Sequence, residues 1–327
     1  MANFLLPAWK NREKTKQVAT RDGFGHGLVD AATVDKNIYT ICADLTESTR
    51  IQWFKDEFPD RFVQLGVAEQ ALAGIAAGMA LAGKNVFIAS YAAFSPGRNW
   101  EQIRTTACLQ NTNVKIVGSH AGVSVGPDGA THQMLEDIAL MRVLPNMIVA
   151  VPCDAHEAHN ATLALAKHKG PAYIRLAREK SAVFTRPNMP FTFGKSLTLT
   201  PGKDLVIFAT GPVVYEALHA SLILKTKGID ARVINISSIK PLDEKTVLDA
   251  AKSCGMAITL EEAQVAGGMG SAICEFLAEN YPIPVLRMGM QDRFGETGEP
   301  QELLEYFGLT APHIVRTAQQ ILKKKHH

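Results

Sequence analysis

The chain has 327 residues, 46% of them hydrophobic and 20% charged, with a formal net charge of +2. That length suits two domains with a core each, and the composition excludes a disordered chain. The near balance of charge provides no general field for nucleic acid or a membrane surface, so neither is expected as a partner.

Cys42, Cys108, Cys153, Cys254 and Cys274 form no CxxC pair, so neither a disulfide framework nor a zinc site is indicated. A reducing cytoplasm is the simplest compartment. The opening MANFLLPAWK has no basic region ahead of its few apolar residues and makes a poor signal peptide. The longest apolar run, 71–83, is too short and too rich in Ala and Gly to span a bilayer. The basic run 323–325 reads as a solvated tail, and His326 and His327 receive no role.

In chain order, residues 20–32 read as a helix and NIYTICAD (37–44) as a buried strand ending at an acid. A short apolar segment with Phe62, Val63 and Leu65 precedes a Gly/Ala-rich helix that could hardly face water. NVFIAS (85–90) is the next strand, followed by a helix around 99–109. VKIVGS (114–119) leads into a glycine-rich loop and a helix at about 134–141. MIVAVP (147–152), a helix after Asp154 and AYIRLA (172–177) complete the first half. RPNMPFTFGKS breaks the pattern, and a boundary falls near Pro190. Strands at 204–210, 230–236, 256–262 and 284–290 then alternate with helices at 213–227, after Asp243, from Gly270, and near Pro300 and Ala311. The expected fold class is α/β: two domains, 1–190 and 191–327, each a mainly parallel sheet covered by helices.

Glu69 stands at the mouth of the Gly/Ala-rich helix. A carboxylate there is costly to keep ionised unless something pairs with it, although complementing the helix dipole or closing a capping box would account for it equally. The loop GSHAGVSVGPDGATHQ concentrates His120, Asp128 and His132 among glycines just after a strand, where open α/β sheets place their ligand sites. In SYAAFSPGRNWEQIR, Tyr91 and Phe94 at i and i+3 fit a core role as well as a stacking one. Arg21, Ser48 and Arg178 are isolated in sequence, and Asp44 reads first as an acid that ends a strand. VAGGMGSA lacks the full GxGxxG spacing and reads as a close strand-to-helix turn.

Taken together, DLTESTR, GVAEQALAGIAAGMALAGK and the histidine loop resemble the pyrimidine-binding domain of transketolases, in the family's order and over nearly the whole chain. The resemblance implies that Glu69 bonds the aminopyrimidine of thiamine diphosphate and favours its imino tautomer. It implies Phe94 as the aromatic against that ring, Tyr91 as its neighbour, and Asp44 near the cofactor at a subunit contact. His120 and Asp128 would contact sugar hydroxyls, and His132 would lie near the reacting carbons. Arg21, Ser48 and Arg178 would gather around the substrate phosphate, where guanidinium forks suit phosphate oxygens. SPGRN departs from the common spacing by about one residue, which leaves open which aromatic faces the ring.

The sequence contains no GDG motif, the element that in complete transketolases holds Mg²⁺ and the diphosphate. The resemblance therefore implies a partner chain supplying that half, with two copies of each chain in the assembly. The C-terminal subunit of a split transketolase, moving a two-carbon ketol unit from a ketose phosphate to an aldose, is the expected function. Two alternatives stay open: a β-type chain of another thiamine diphosphate enzyme, a 2-oxo acid dehydrogenase or a deoxyxylulose phosphate synthase relative, and a non-catalytic partner of a full-length transketolase.

Overall fold

Every residue of Val114–Ser119 is buried, and so are all four of Ala172–Arg175. Strands buried on both faces belong in the middle of a parallel sheet with helices above and below. The computed structural model, which describes residues 4–323, has that architecture. Lys324, Lys325 and the closing His pair lie outside the described residues.

The first half runs β1 (Gln17–Ala19), α1 (Thr20–Val34), β2 (Ile38–Cys42), α2 (Ile51–Glu57), β3 (Phe62–Gln64), α3 (Glu69–Leu81), β4 (Asn85–Tyr91), α4 (Trp100–Gln102), β5 (Val114–Ser119), α5 (Asp137–Arg142), β6 (Ile148–Ala150), α6 (Ala155–Lys167), β7 (Ala172–Arg175) and β8 (Lys180–Ala182). The second half runs β9 (Leu197–Thr200), β10 (Leu205–Ala209), α7 (Val214–Thr226), β11 (Ala231–Asn235), β12 (Ser238–Lys240), α8 (Glu244–Cys254), β13 (Ala257–Gln264), α9 (Met269–Asn280), β14 (Val285–Met290), α10 (Pro300–Tyr306) and α11 (Ala311–Lys323). One sheet has the order β12-β6-β7-β5-β4-β2-β3 and the other β14-β13-β10-β11-β9. Within these two sheets every pairing is parallel except β12 on β6 and β9 on β11, and β1 pairs antiparallel with β8 in a separate two-stranded ribbon. The expected α/β class and mainly parallel sheets are what the chain adopts.

The helices pack closely where the sequence allows it. A Cβ on Gly23 would come within 2.0 Å of the Ala155 carbonyl oxygen, and one on Gly27 within 2.7 Å of the His159 carbonyl oxygen. Glycine at these positions lets α1 lie directly on α6. Asp154 caps α6 through the Glu157 amide, and Asp243 caps α8 through the Thr246 amide.

Four features depart from the expectations. The helix around 99–109 is only α4, which passes into a wider π-helical stretch, Ile103–Cys108. There the Thr105 hydroxyl donates to the Glu101 carbonyl at 3.0 Å, back-bonding that competes with regular helix. Next, α5 starts at Asp137, because the residues before it hold the glycine-rich loop: Met134 accepts from the Gly122 amide, and Gln133 donates to the Val123, Gly126 and Glu296 carbonyls. Third, β12 joins the first sheet although it lies beyond residue 190. Fourth, α3 is not enclosed. Gln70, Ala71, Gly74, Ile75, Gly78 and Leu81 face outward, while Leu72, Ala73, Ala76 and Ala77 are buried and Met79 and Ala80 pack partly buried against the core. Among the described residues, no helix is long and apolar enough to cross a membrane.

Candidate active site

The C-terminal ends of β2, β3, β4, β5 and β7 point the following loops to one side of the first sheet, the position where open α/β sheets bind ligands. Glu69, the first residue of α3, is 5% exposed. Its N-cap, Ala68, offers no side-chain cap, so the capping-box account fails. The carboxylate is held from outside its helix instead. Arg98 donates to Oε2 at 3.3 Å, and Asn99 fixes the backbone by donating to the Glu69 carbonyl at 2.8 Å. Oε1 is buried and accepts no hydrogen bond. A buried acceptor without a donor is a costly arrangement that a bound donor would relieve.

Aromatic rings gather beside it. Phe94 lies near-parallel to Tyr91 with centroids 5.9 Å apart, and His132 meets Phe94 edge-on at 5.3 Å. Tyr91 stacks on His120 at 3.8 Å. The Arg98 guanidinium lies 4.0 Å from the Phe94 ring centre. An acid with one free oxygen beside an aromatic face suits a flat, hydrogen-bonding heterocycle, so these residues fit the pyrimidine end of thiamine diphosphate.

His120 is 1% exposed and sits at φ 56°, a left-handed conformation at the end of β5. Arg21 donates to its Nε2 at 3.3 Å, which makes Nε2 the acceptor and assigns the ring proton to Nδ1, 2.8 Å from Ser119 Oγ. Burial, followed by the nearby charges of Arg21, Arg178 and Arg50, pushes its pKa down to about 2. His120 is therefore a neutral ring that can exchange hydrogen bonds without charging. His132 is partly exposed, with Nδ1 2.9 Å from the Thr131 hydroxyl.

Arg21, Arg50 and Arg178 line a cleft of about 690 Å³. Arg21 also donates to the Ser48 carbonyl at 2.8 Å, while its Nε is buried with no acceptor. Burial, then the charges of Arg50 and Arg178, lower its pKa, so a negative ligand would lift two penalties together. Arg178 donates to the Val125 carbonyl at 3.0 Å and pairs with Glu179 at 2.9 Å. Glu262 accepts from the Ser124 amide at 3.0 Å and so pins the loop against this cleft.

The structure thus brings Glu69, Tyr91, Phe94, His120 and His132 together, and joins Arg21, Ser48 and Arg178 to them through the Arg21–His120 contact. Two nominated residues stand apart. Asp128 is exposed at the loop tip with no side-chain partner among the described residues. Asp44, also exposed, is held by Gln64, which accepts from its amide at 3.0 Å. Sequence reasoning missed Arg50 and Arg98. Their signals were present, Arg50 two residues beyond Ser48 and Arg98 inside the irregular SPGRN. Among the described residues no cluster of three or more His, Cys, Asp or Glu side chains could hold a metal ion.

The pyrimidine-binding domain family of transketolase matches residues 16–182, and the transketolase C-terminal domain family matches 194–314. The chain belongs to the transketolase family.

This transketolase-family chain is 42% identical over 308 residues to a putative transketolase C-terminal section of Methanocaldococcus jannaschii, covering 93% of this chain and 96% of that protein. It is 40% identical over 305 residues to a 6-deoxy-6-sulfo-D-fructose transketolase subunit of a Clostridium species, covering 93% and 95%. Among solved structures it is similar to a split-gene transketolase described as an inactive β4 tetramer. That match has 43% identity and a TM-score of 0.88, and covers 94% of this chain and 99% of that one.

Proposed function

We propose that the chain is the C-terminal subunit of a two-chain transketolase. The observation that carries this is Glu69: a buried carboxylate with one bonded and one free oxygen, beside Phe94, at the sheet end where ligands sit. Glu69 would hold the pyrimidine of thiamine diphosphate through a hydrogen bond, and Phe94 would pack on its face. When bound, the cofactor supplies the electron sink for breaking and forming a carbon–carbon bond. Family members use a divalent metal with the diphosphate; we assign both to a partner subunit carrying the GDG motif, which this sequence lacks.

The chain's own side chains would handle the sugar. His120, held neutral, would exchange its present hydrogen bonds for ones to sugar hydroxyls, and the His132 ring would lie near the reacting carbons. Arg21, Arg50 and Arg178 would hold an anionic group at the far end of the ketose. Phosphate and sulfonate both present three oxygens to such a seat, and the Clostridium relative acts on a sulfonated sugar. The exposed face of α3 would meet a second copy of the chain, giving two copies of each subunit. We place the division between the halves near Pro190, and the compartment as cytoplasm.

The test is turnover of xylulose 5-phosphate and ribose 5-phosphate with thiamine diphosphate and Mg²⁺, with and without a partner chain carrying the GDG motif. Activity confined to the mixture supports the reading. Activity of this chain alone defeats it. A preference for a sulfonated ketose in the same mixture would keep the chemistry and change the substrate.

A further inference from the structure

Arg98 makes two contacts, both within the seat assigned above to the pyrimidine. One guanidinium nitrogen donates to Glu69 Oε2 at 3.3 Å, and the carbon of the group lies 4.0 Å from the Phe94 ring centre. A guanidinium is a planar group with N–H donors at its rim and a face that stacks on aromatic rings. An aminopyrimidine is also planar, also donates at its rim and also stacks. The two therefore compete for the same acid and the same ring.

The hold is loose on three counts. A distance of 3.3 Å is long for a charge-assisted bond, which is normally about 2.7–2.9 Å. The Arg98 side chain is 50% exposed whereas Glu69 is 5% exposed, so the arginine can leave toward solvent while the acid cannot follow. Gly97 beside it is exposed too, and Glu69 Oε1 remains without a donor even with Arg98 in place. The arginine thus covers the seat without satisfying it.

We propose that Arg98 is a displaceable latch on the pyrimidine seat. In the unloaded chain it neutralises Glu69 and covers Phe94, and it must swing outward before a planar heterocycle can enter. This rests on the assignment of Glu69 and Phe94 to the cofactor. Its consequence is that cofactor affinity is set below what the seat alone would provide, since entry must first break the Arg98 contacts.

The experiment compares wild type, Arg98→Ala, Arg98→Lys and Glu69→Gln, each assembled with the partner chain. Thiamine diphosphate is titrated in the presence of Mg²⁺ and binding is read from tryptophan fluorescence. Thermal unfolding of each chain is recorded with and without the cofactor. A half-exposed ion pair and a cation–π contact together set the scale, so Arg98→Ala should bind the cofactor roughly fivefold more tightly. The same variant should unfold at lower temperature when unloaded, because Glu69 loses its partner, and should gain more from added cofactor than wild type. Arg98→Lys, which keeps the charge but cannot lie flat on Phe94, should fall between the two. Unchanged or weaker binding by Arg98→Ala, with Glu69→Gln weakened, overturns the latch alone. Unchanged binding by Glu69→Gln overturns the functional reading and the latch with it.

Discussion

Tyr91 and His120 lie ring on ring, their centroids 3.8 Å apart and their planes 22° from parallel. The stack closes one side of an imidazole whose nitrogens are already engaged by Arg21 and Ser119. Burial and the surrounding arginines keep that ring uncharged, with a pKa of about 2. By NMR titration we expect His120 to show no charging step between pH 5 and 8. The folded pKa lies below the unfolded value near 6.5, so the unfolded chain binds more protons below that pH, and stability is lost as pH falls. Relative to His120→Asn, which tolerates the left-handed backbone, wild type should lose about 1–2 kcal/mol between pH 7 and pH 5 in urea titrations. A constant difference between the two proteins would contradict it.

Glu69→Gln keeps the size of the side chain and removes its charge. Turnover of the assembled enzyme should fall by about two orders of magnitude or more, the scale of a lost proton-handling group, with the circular dichroism spectrum unchanged. Turnover within threefold of wild type would end the assignment.

Arg21→Ala and Arg178→Ala each remove a guanidinium from the cleft. We expect KM for a phosphorylated ketose to rise about tenfold or more, consistent with losing a charge-assisted contact, while an unphosphorylated ketose is little affected. Equal effects on both sugars would show that the arginines do not hold the anion.

On α3 and just before it, Val67 is 71% exposed, Ile75 42% and Leu81 66%, and a Cβ at Gly74 or Gly78 would meet nothing within 4 Å. Ile75→Glu should shift the sedimentation coefficient toward a smaller species without lowering the melting temperature of that species. Equal assembly of variant and wild type would place the contact elsewhere.

The Asp154 carboxylate caps α6 through the Glu157 amide at 2.9 Å and holds the Phe184 and Thr185 amides at 2.9 and 2.7 Å. Asp154→Ala would leave these buried donors without an acceptor. A loss of about 2–4 kcal/mol in denaturant unfolding is expected, from a cap plus unsatisfied amides. A loss under about 0.5 kcal/mol, the range of an ordinary surface change, would argue against it.

Much of the frame was legible because its signals are local. Val114–Ser119 is a mostly apolar run broken by Lys115, Leu205–Ala209 is apolar throughout, and Asp154 and Asp243 announce the helices they cap. Glu69 was visible as a charge in an apolar setting, and the histidine loop by its composition. What escaped depends on contacts between residues far apart in the chain. Three-residue strands such as β1 and β8 exist only because each finds the other across some 160 residues, and neither has a pattern of its own. Arg98 reaches Glu69 across 29 residues and through an irregular turn, so its part in the site could not be read from spacing. Outward-facing Ala and Gly on α3 look the same in sequence as buried ones.

The strand Ser238–Lys240, laid along the edge of the first sheet, means that the peptide joining the two halves is not what keeps them together. Arg175 adds a second tie, donating from β7 to the Glu262 carbonyl of β13 at 2.7 Å. Residues 186–188, by contrast, are exposed. A protease cutting there would yield two fragments that still migrate as one particle and melt in one transition. Separate expression of either half would uncover a bare β6 edge in one fragment and an orphaned ribbon in the other, inviting aggregation rather than independent folding.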